Sequence, residues 1–216
     1  MLNPILILIG LTVAISAYAW SKQELMDSWI MDPYRMARSP GQWYRLLSSG
    51  FLHADWAHLL FNMFAFYSFA PLVLGALSDG YGPGLGIGLF LLLYLGGIVL
   101  SDLPTYFRHR DDRGYRSLGA SGGVSSVLFA SIVLMPVAPA GQGIIIFPIP
   151  FPIQPFLFGF LYLGYSYYMA RRRADNVNHD AHFYGALYGV VLLLALMPAA
   201  GPAFFQQISL FLKSKL

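Results

Sequence analysis

Long apolar runs without Asp, Glu, Lys or Arg alternate along the chain with short stretches in which charges gather. The first run covers residues 1–21 and ends at Lys22; the second covers 56–78, and the third lies at 80–101 between Asp79 and Asp102. Residues 117–170 are then wholly uncharged, but Pro136, Pro139, Gly141, Gly143, Pro148, Pro150, Pro152 and Pro155 divide them. Proline lacks an amide donor and clashes with the preceding turn, so this is a break between two helices. A last run opens near Ala181 and stops at Pro198 and Pro202. A hydrocarbon core of about 30 Å takes about 20 helical residues. The pattern therefore predicts six spans, near 2–20, 56–78, 83–101, 118–137, 154–170 and 181–199, in one domain over 1–216. The tail from Phe204 to Leu216 reads as an amphipathic piece at the interface, ending in Lys213 and Lys215.

Ala17-Tyr18-Ala19 imitates a signal-peptidase site, but no Lys or Arg precedes Lys22, so the positive n-region is missing and the run reads as a span. Between the first two spans, charges mix with Trp29, Met31, Trp43 and Tyr44, the composition of a partly structured interfacial segment.

Composition agrees with the pattern. Hydrophobic residues make up 57% of the 216 and charged residues 11%, against about 25% charged in an ordinary soluble domain. A soluble core could not hide this much apolar surface, so the class is an all-α membrane protein. The net charge of +3 comes from 13 Lys and Arg against 10 Asp and Glu, which is no basic stripe, and nucleic acid is not an expected partner. No cysteine is present, which excludes disulfides and thiolate chemistry.

Polar side chains inside spans are costly and point to function. His58 and Asn62 stand near the start of the second span, Ser121 near the start of the fourth and His182 near the start of the sixth. Even-numbered helices begin on the same side of the membrane, so these groups share a face and a similar depth. Gly122, Ser126 and Ala130 form one stripe of small residues, and Ala181, Gly185 and Gly189 another. Such stripes let helices approach closely in lipid. Their packing would bring the Ser121 hydroxyl to the His182 imidazole, and a serine becomes a nucleophile when an adjacent base takes its proton. His58 and Asn62, one turn apart, could donate hydrogen bonds to a developing oxyanion. Taken singly, a polar residue in a span is more often a helix–helix hydrogen bond. Convergence at one depth favours chemistry. His53 and His179 read as interfacial and His109 as a solvated loop residue.

These motifs resemble those of the rhomboid intramembrane serine proteases. Gly119-Ala120-Ser121-Gly122 is similar to the family's GxSG motif, His58-Leu59-Leu60-Phe61-Asn62 to its HxxxN motif, and Ala181-His182-Phe183-Tyr184-Gly185 with Gly189 to its AHxxGxxxG. Trp43-Tyr44-Arg45, followed by Phe51-Leu52-His53, resembles the family's first loop. The resemblance implies a six-helix rhomboid-like bundle with Ser121 as nucleophile and His182 as general base. It implies an oxyanion hole of His58, Asn62 and the Ser121 amide, with Gly119, Gly122, Gly185 and Gly189 packing helices at the site. Substrates would be single-pass transmembrane proteins cut near the membrane surface, with loop five (171–180) and the fifth helix as gate. No cofactor and no metal is called for, and the place would be a bacterial inner membrane; the oligomeric state is left open.

One departure is Ser125, where many relatives carry an aromatic residue that packs on the catalytic histidine; Phe183, Tyr184 or another ring could substitute. Orientation is a second. Every Lys and Arg except Lys213 and Lys215 falls on the active face, which the positive-inside rule would put in the cytoplasm, whereas the family usually faces it outward.

Three rival readings stand beside this one. Gly119 to Gly123 also fits the G-x-S-x-G elbow of α/β-hydrolases, but that elbow follows a strand, and here a charged loop precedes it. His53, His58, His179, Asp180 and His182 could chelate a metal, although no HExxH is present. A catalytically weak or inactive relative could bind transmembrane clients in the same groove.

Overall fold

The computed structural model describes residues 3–146, 150–172 and 177–216. Met1 and Leu2 of the first run, Pro148 of the proline break, and residues 173–176 of loop five lie outside the described residues. Helix α1 (Pro4–Ser21) begins with proline in its first turn, where the missing amide costs nothing, and Asn3 caps it by accepting from the Ile5 amide. The segment after it is not a linker. It folds into the short helices α2 (Gln23–Trp29), α3 (Pro33–Arg38) and α4 (Arg45–Ser48), with single helical turns at Pro40–Gln42 and Ser49–Phe51. Arg45 organises them from a buried position: its guanidinium donates to the carbonyls of Asp27 (2.9 Å) and Ile30 (2.7 Å) and to the side chain of Gln42 (2.6 Å).

Helix α5 (Trp56–Tyr81) is capped by Asp55, whose carboxylate accepts from the His58 amide at 2.8 Å. After Gly82, whose φ of 81° suits a residue without Cβ, α6 (Pro83–Ser101) runs back and continues past Asp102 into α7 (Leu103–His109). Helix α8 (Ser121–Leu134) comes after a loop, and α9 (Pro155–Arg172), α10 (His179–Leu196) and α11 (Ala200–Lys213) follow. Between α8 and α9 the described residues form turns, with Ile144 and Ile153 exchanging backbone hydrogen bonds at 2.9 Å.

The core lies where α5, α6, α8 and α10 meet, around Phe66, Phe90, Tyr94, Val127 and Leu193. Helix α8 is its axis: every residue from Gly122 to Val133 is buried. Among the described residues, four helical stretches are long and apolar enough to cross a membrane: Pro4–Ser21, Trp56–Tyr81, Pro83–His109 and His179–Leu196. Helix α8 is apolar but has 14 residues. At 1.5 Å per residue it measures about 21 Å, short of a hydrocarbon core of about 30 Å. The fold is therefore all-helical, with four segments that meet the criterion for a full crossing. At the end away from Ser121, the Tyr81 hydroxyl donates to the Leu196 carbonyl and ties α5 to α10.

Candidate functional site

The site is built around the first turn of α8. The loop entering it is pinned on one side by the segment between α1 and α5. Ser117 exchanges backbone hydrogen bonds with Met31 (3.0 and 3.2 Å), the Gly119 amide donates to the Ser49 carbonyl (3.0 Å), and the Ala120 amide points at Nε2 of His53 (3.5 Å). Gly119 stands at φ 129°, and a methyl group added to it would sit 2.8–3.0 Å from Cε1 and Nε2 of His58. Glycine here gives the backbone a conformation L residues rarely adopt and makes room for the imidazole. Gly119 is thus a loop residue beside His58 rather than a helix-packing glycine, which corrects its grouping with Gly122, Gly185 and Gly189. The next residue but one is Ser121, which opens the helix; the first amides of a helix have no partner inside it.

Helix α10 supplies the opposite wall. A methyl group on Gly185 would collide with the carbonyl of Gly122, and one on Gly189 with the backbone of Ser126. The two helices touch backbone to backbone, and Ser121 and His182 flank the same crossing, one residue before Gly122 and three before Gly185. The start of α10 is fixed from outside. Asn178 caps it by accepting from the Ala181 amide (3.1 Å), accepts from the Thr105 hydroxyl (3.0 Å), and donates to Asp102 (3.0 Å); Arg108 forms an ion pair with Asp180.

His58 and Asn62 share one face of α5, and one of the two amide hydrogens of Asn62 goes to the carbonyl of His58 at 2.9 Å. The remaining wall is α9. Its Tyr162 lies nearly parallel to His182, ring centroids 6.0 Å apart at 25°, and its hydroxyl bonds to the Ser125 hydroxyl at 2.8 Å.

These features would suit several membrane hydrolases. The decisive comparison is that the rhomboid-domain family model matches residues 40–199. The chain belongs to the rhomboid family. Its similarity to individual rhomboids is moderate: 34% identity over 91 residues to YdcA of Bacillus subtilis (strain 168), 42% of this chain and 41% of that protein. It is 34% over 171 residues to the chloroplastic Rhomboid-like protein 11 of Arabidopsis thaliana, 73% of this chain and 55% of that protein. Rhomboid protease GluP of Bacillus subtilis (strain 168) is 29% identical over 162 residues, 74% of this chain and 28% of GluP. The chain thus spans about half or less of the length of these relatives. Family and apolar helices together make it an integral membrane protein.

Three histidines of this rhomboid stand differently from the expectation raised by the sequence. His53, His109 and His179 are all buried, at 0%, 7% and 5% exposure. His109 stacks on Tyr115 with ring centroids 3.6 Å apart, and His179 packs edge-on against Tyr165 and His182. His53 is the most informative. The Ser16 hydroxyl donates to the Phe51 carbonyl (2.8 Å), so its oxygen accepts from Nδ1–H of His53 (3.0 Å), leaving the Nε2 lone pair for the Ala120 amide. Burial, and secondarily the neighbouring His58, pushes the His53 pKa down from 6.5 to about 3. It is a neutral imidazole with both nitrogens engaged, holding the loop that leads to Ser121. A buried histidine in a loop leaves no periodic signal; the hint was its place in Phe51-Leu52-His53, which resembles the family's first loop, and the metal reading claimed the same residue.

Proposed function

We propose that this rhomboid is an intramembrane serine endopeptidase acting on single-pass transmembrane proteins. The observation that carries the reading is the glycine-lined crossing of α8 and α10, which sets Ser121 and His182 on either flank of one backbone contact. In the proposed reaction, His182 takes the Ser121 proton as the serine oxygen attacks the scissile carbonyl. The oxyanion is received by the Ser121 amide at the start of α8, by His58 beside Gly119 and by the Asn62 side-chain amide. His182 then gives its proton to the leaving amine, the acyl-enzyme forms, and water, deprotonated by the same imidazole, releases the second product. A helical peptide bond is shielded by its own hydrogen bonds, so the substrate has to unwind locally before attack.

The rest of the proposal concerns placement. Six crossings result if α8 and α9 complete the bundle with the four longer stretches, and the bacterial inner membrane is the proposed location. Helix α9 with loop five would form the lateral gate. A short α8 starts Ser121 below the membrane surface, where charge stabilisation gains from a partly dry site. A histidine-held metal fits poorly, because both ring nitrogens of His53 are used within the chain.

The test is purified protein in detergent or proteoliposomes, exposed to a fluorophosphonate probe and to a single-pass model substrate. Labelling and cleavage that disappear in both Ser121→Ala and His182→Ala are expected. A folded wild-type chain that neither labels nor cleaves would overturn the protease reading in favour of a rhomboid that binds transmembrane clients without cutting them.

A further inference from the structure

We infer that the cavity between α2, α3 and α4 is a binding site for a phospholipid headgroup that carries both a phosphate and a primary ammonium, the chemistry of phosphatidylethanolamine.

The cavity has a volume of about 740 Å³ and is lined by Glu24 and Asp27 of α2, by Tyr34, Arg35 and Arg38 of α3, and by Arg45 of α4. Arg45 is 3% exposed, and every oxygen it donates to is neutral: the carbonyls of Asp27 and Ile30 and the side-chain oxygen of Gln42. The nearby carboxylates are engaged elsewhere. Asp32 is shared by Arg35 (3.2 Å) and Arg116 (3.6 Å), and Asp27 pairs with Arg116 (3.5 Å). Among the described residues no carboxylate pairs with Arg45. A buried cation is costly without a counter-charge, and neutral oxygens satisfy its hydrogens but not its charge. An anion in the cavity would supply what is missing. Arg35 adds a second guanidinium to the lining, and a guanidinium fork matches the oxygens of a phosphate.

The α2 wall has the opposite sign. Glu24 is exposed and forms no ion pair among the described residues. Its carboxylate would repel a plain anion, whereas a ligand with an ammonium beside its phosphate uses both walls. The position of the cavity points to lipid as the source. Glu24 stands just past Ser21, where α1 ends, and α1 is long and apolar enough to cross a membrane. Trp43 and Tyr44, next to Arg45, are 42% and 46% exposed, and such rings gather at headgroup level. The same segment holds the loop into Ser121 through Met31 and Ser49, so the lipid belongs to the leaflet on the Ser121 side.

The experiment titrates the purified full chain in detergent with dioleoyl lipids and follows binding by native mass spectrometry. Phosphatidylethanolamine is expected to bind about fivefold more tightly than phosphatidylglycerol, which lacks the ammonium, the scale of one partly exposed charge pair. Phosphatidylcholine, whose ammonium has no N–H to donate, should do no better than phosphatidylglycerol. Equal binding of the three lipids overturns the inference without any variant. Arg45 also ties its segment together, so the substitutions are made at the exposed Glu24 and Arg35, with thermal unfolding to check each fold. Glu24→Gln should abolish the preference for phosphatidylethanolamine and keep phosphatidylglycerol binding; Arg35→Gln should weaken both lipids. A preference that survives Glu24→Gln, or lipid binding untouched by Arg35→Gln, overturns the assignment. Inorganic phosphate that raises the melting temperature as much as phosphatidylethanolamine does would make this a site for a soluble anion, and overturns it too.

Discussion

Helix α10 meets α8 backbone to backbone, whereas α9 meets it through rings and branched side chains. In the first contact Gly185 and Gly189 leave no room for even a methyl group, so the two helices behave as one rigid piece. In the second, Phe129, Ile132, Phe158 and Tyr162 form a layer of side chains, joined by the hydrogen bond between the Ser125 and Tyr162 hydroxyls. Lipid offers no hydrophobic drive to hold helices together, so tightness depends on van der Waals fit and on polar links. The lesson is that one molecule can set its proposed nucleophile and base on a seam that leaves no space, while the neighbouring helix meets the same α8 across side chains.

The most severe way to break this contrast is Gly189→Val. Overpacking a core usually costs about 1–3 kcal/mol, and here the obstacle is the Ser126 backbone, which cannot swing aside, so loss of the folded state is expected in thermal unfolding in detergent. Next comes Asn62→Ala, which leaves the seam intact and removes one proposed oxyanion donor. Cleavage should fall by at most about 10²–10³-fold with the melting temperature nearly unchanged.

Acid tests a third attachment, that of the entrance loop to His53. The unfolded chain binds a proton at this residue below pH 6.5, the folded chain only below about 3, so between those values the unfolded state holds more protons. Stability from this group is therefore complete above pH 6.5 and is lost as the pH falls toward 3. The melting temperature of His53→Gln should decline less steeply than the wild type across that window; parallel curves would show that His53 is not buried neutral. The smallest effect is assigned to Gly159→Ala on α9. The added methyl finds ordinary contacts, and alanine is the better helix former by about 1 kcal/mol, so the melting temperature should rise slightly. A marked loss would show that α9 is seated as rigidly as α10.

The helices obey punctuation that is plain in the sequence. Helix α5 starts after Asp55, α6 runs from Pro83 to Ser101, and α10 begins behind Asn178, each a capping or breaking residue beside an apolar run. The small-residue spacing on α8 and α10 was legible for the same reason, since it depends on helical period alone. What the sequence withheld depends on side chains meeting from distant segments. Nothing local signals that Arg45 would collect carbonyls from the end of α2, that His53 would be sealed beneath Ala120, or that Ser125 would bond to Tyr162 of another helix. Such contacts have no period and become visible only once the chain is closed.

The complete enclosure of α8 also bears on how the protein is made. A helix with no lipid-facing residue from Gly122 to Val133, and with four serines in its length, gains little from lipid when it first enters the bilayer. Its support comes from α6, synthesised before it, and from α10, synthesised after it. While the ribosome still holds the chain short of α10, the glycine seam does not exist and His182 is not yet in the membrane. Cutting power, on the proposed reading, is withheld until nearly the whole polypeptide has been delivered, so the nascent protein and its neighbours at the insertion site are not exposed to a half-built protease.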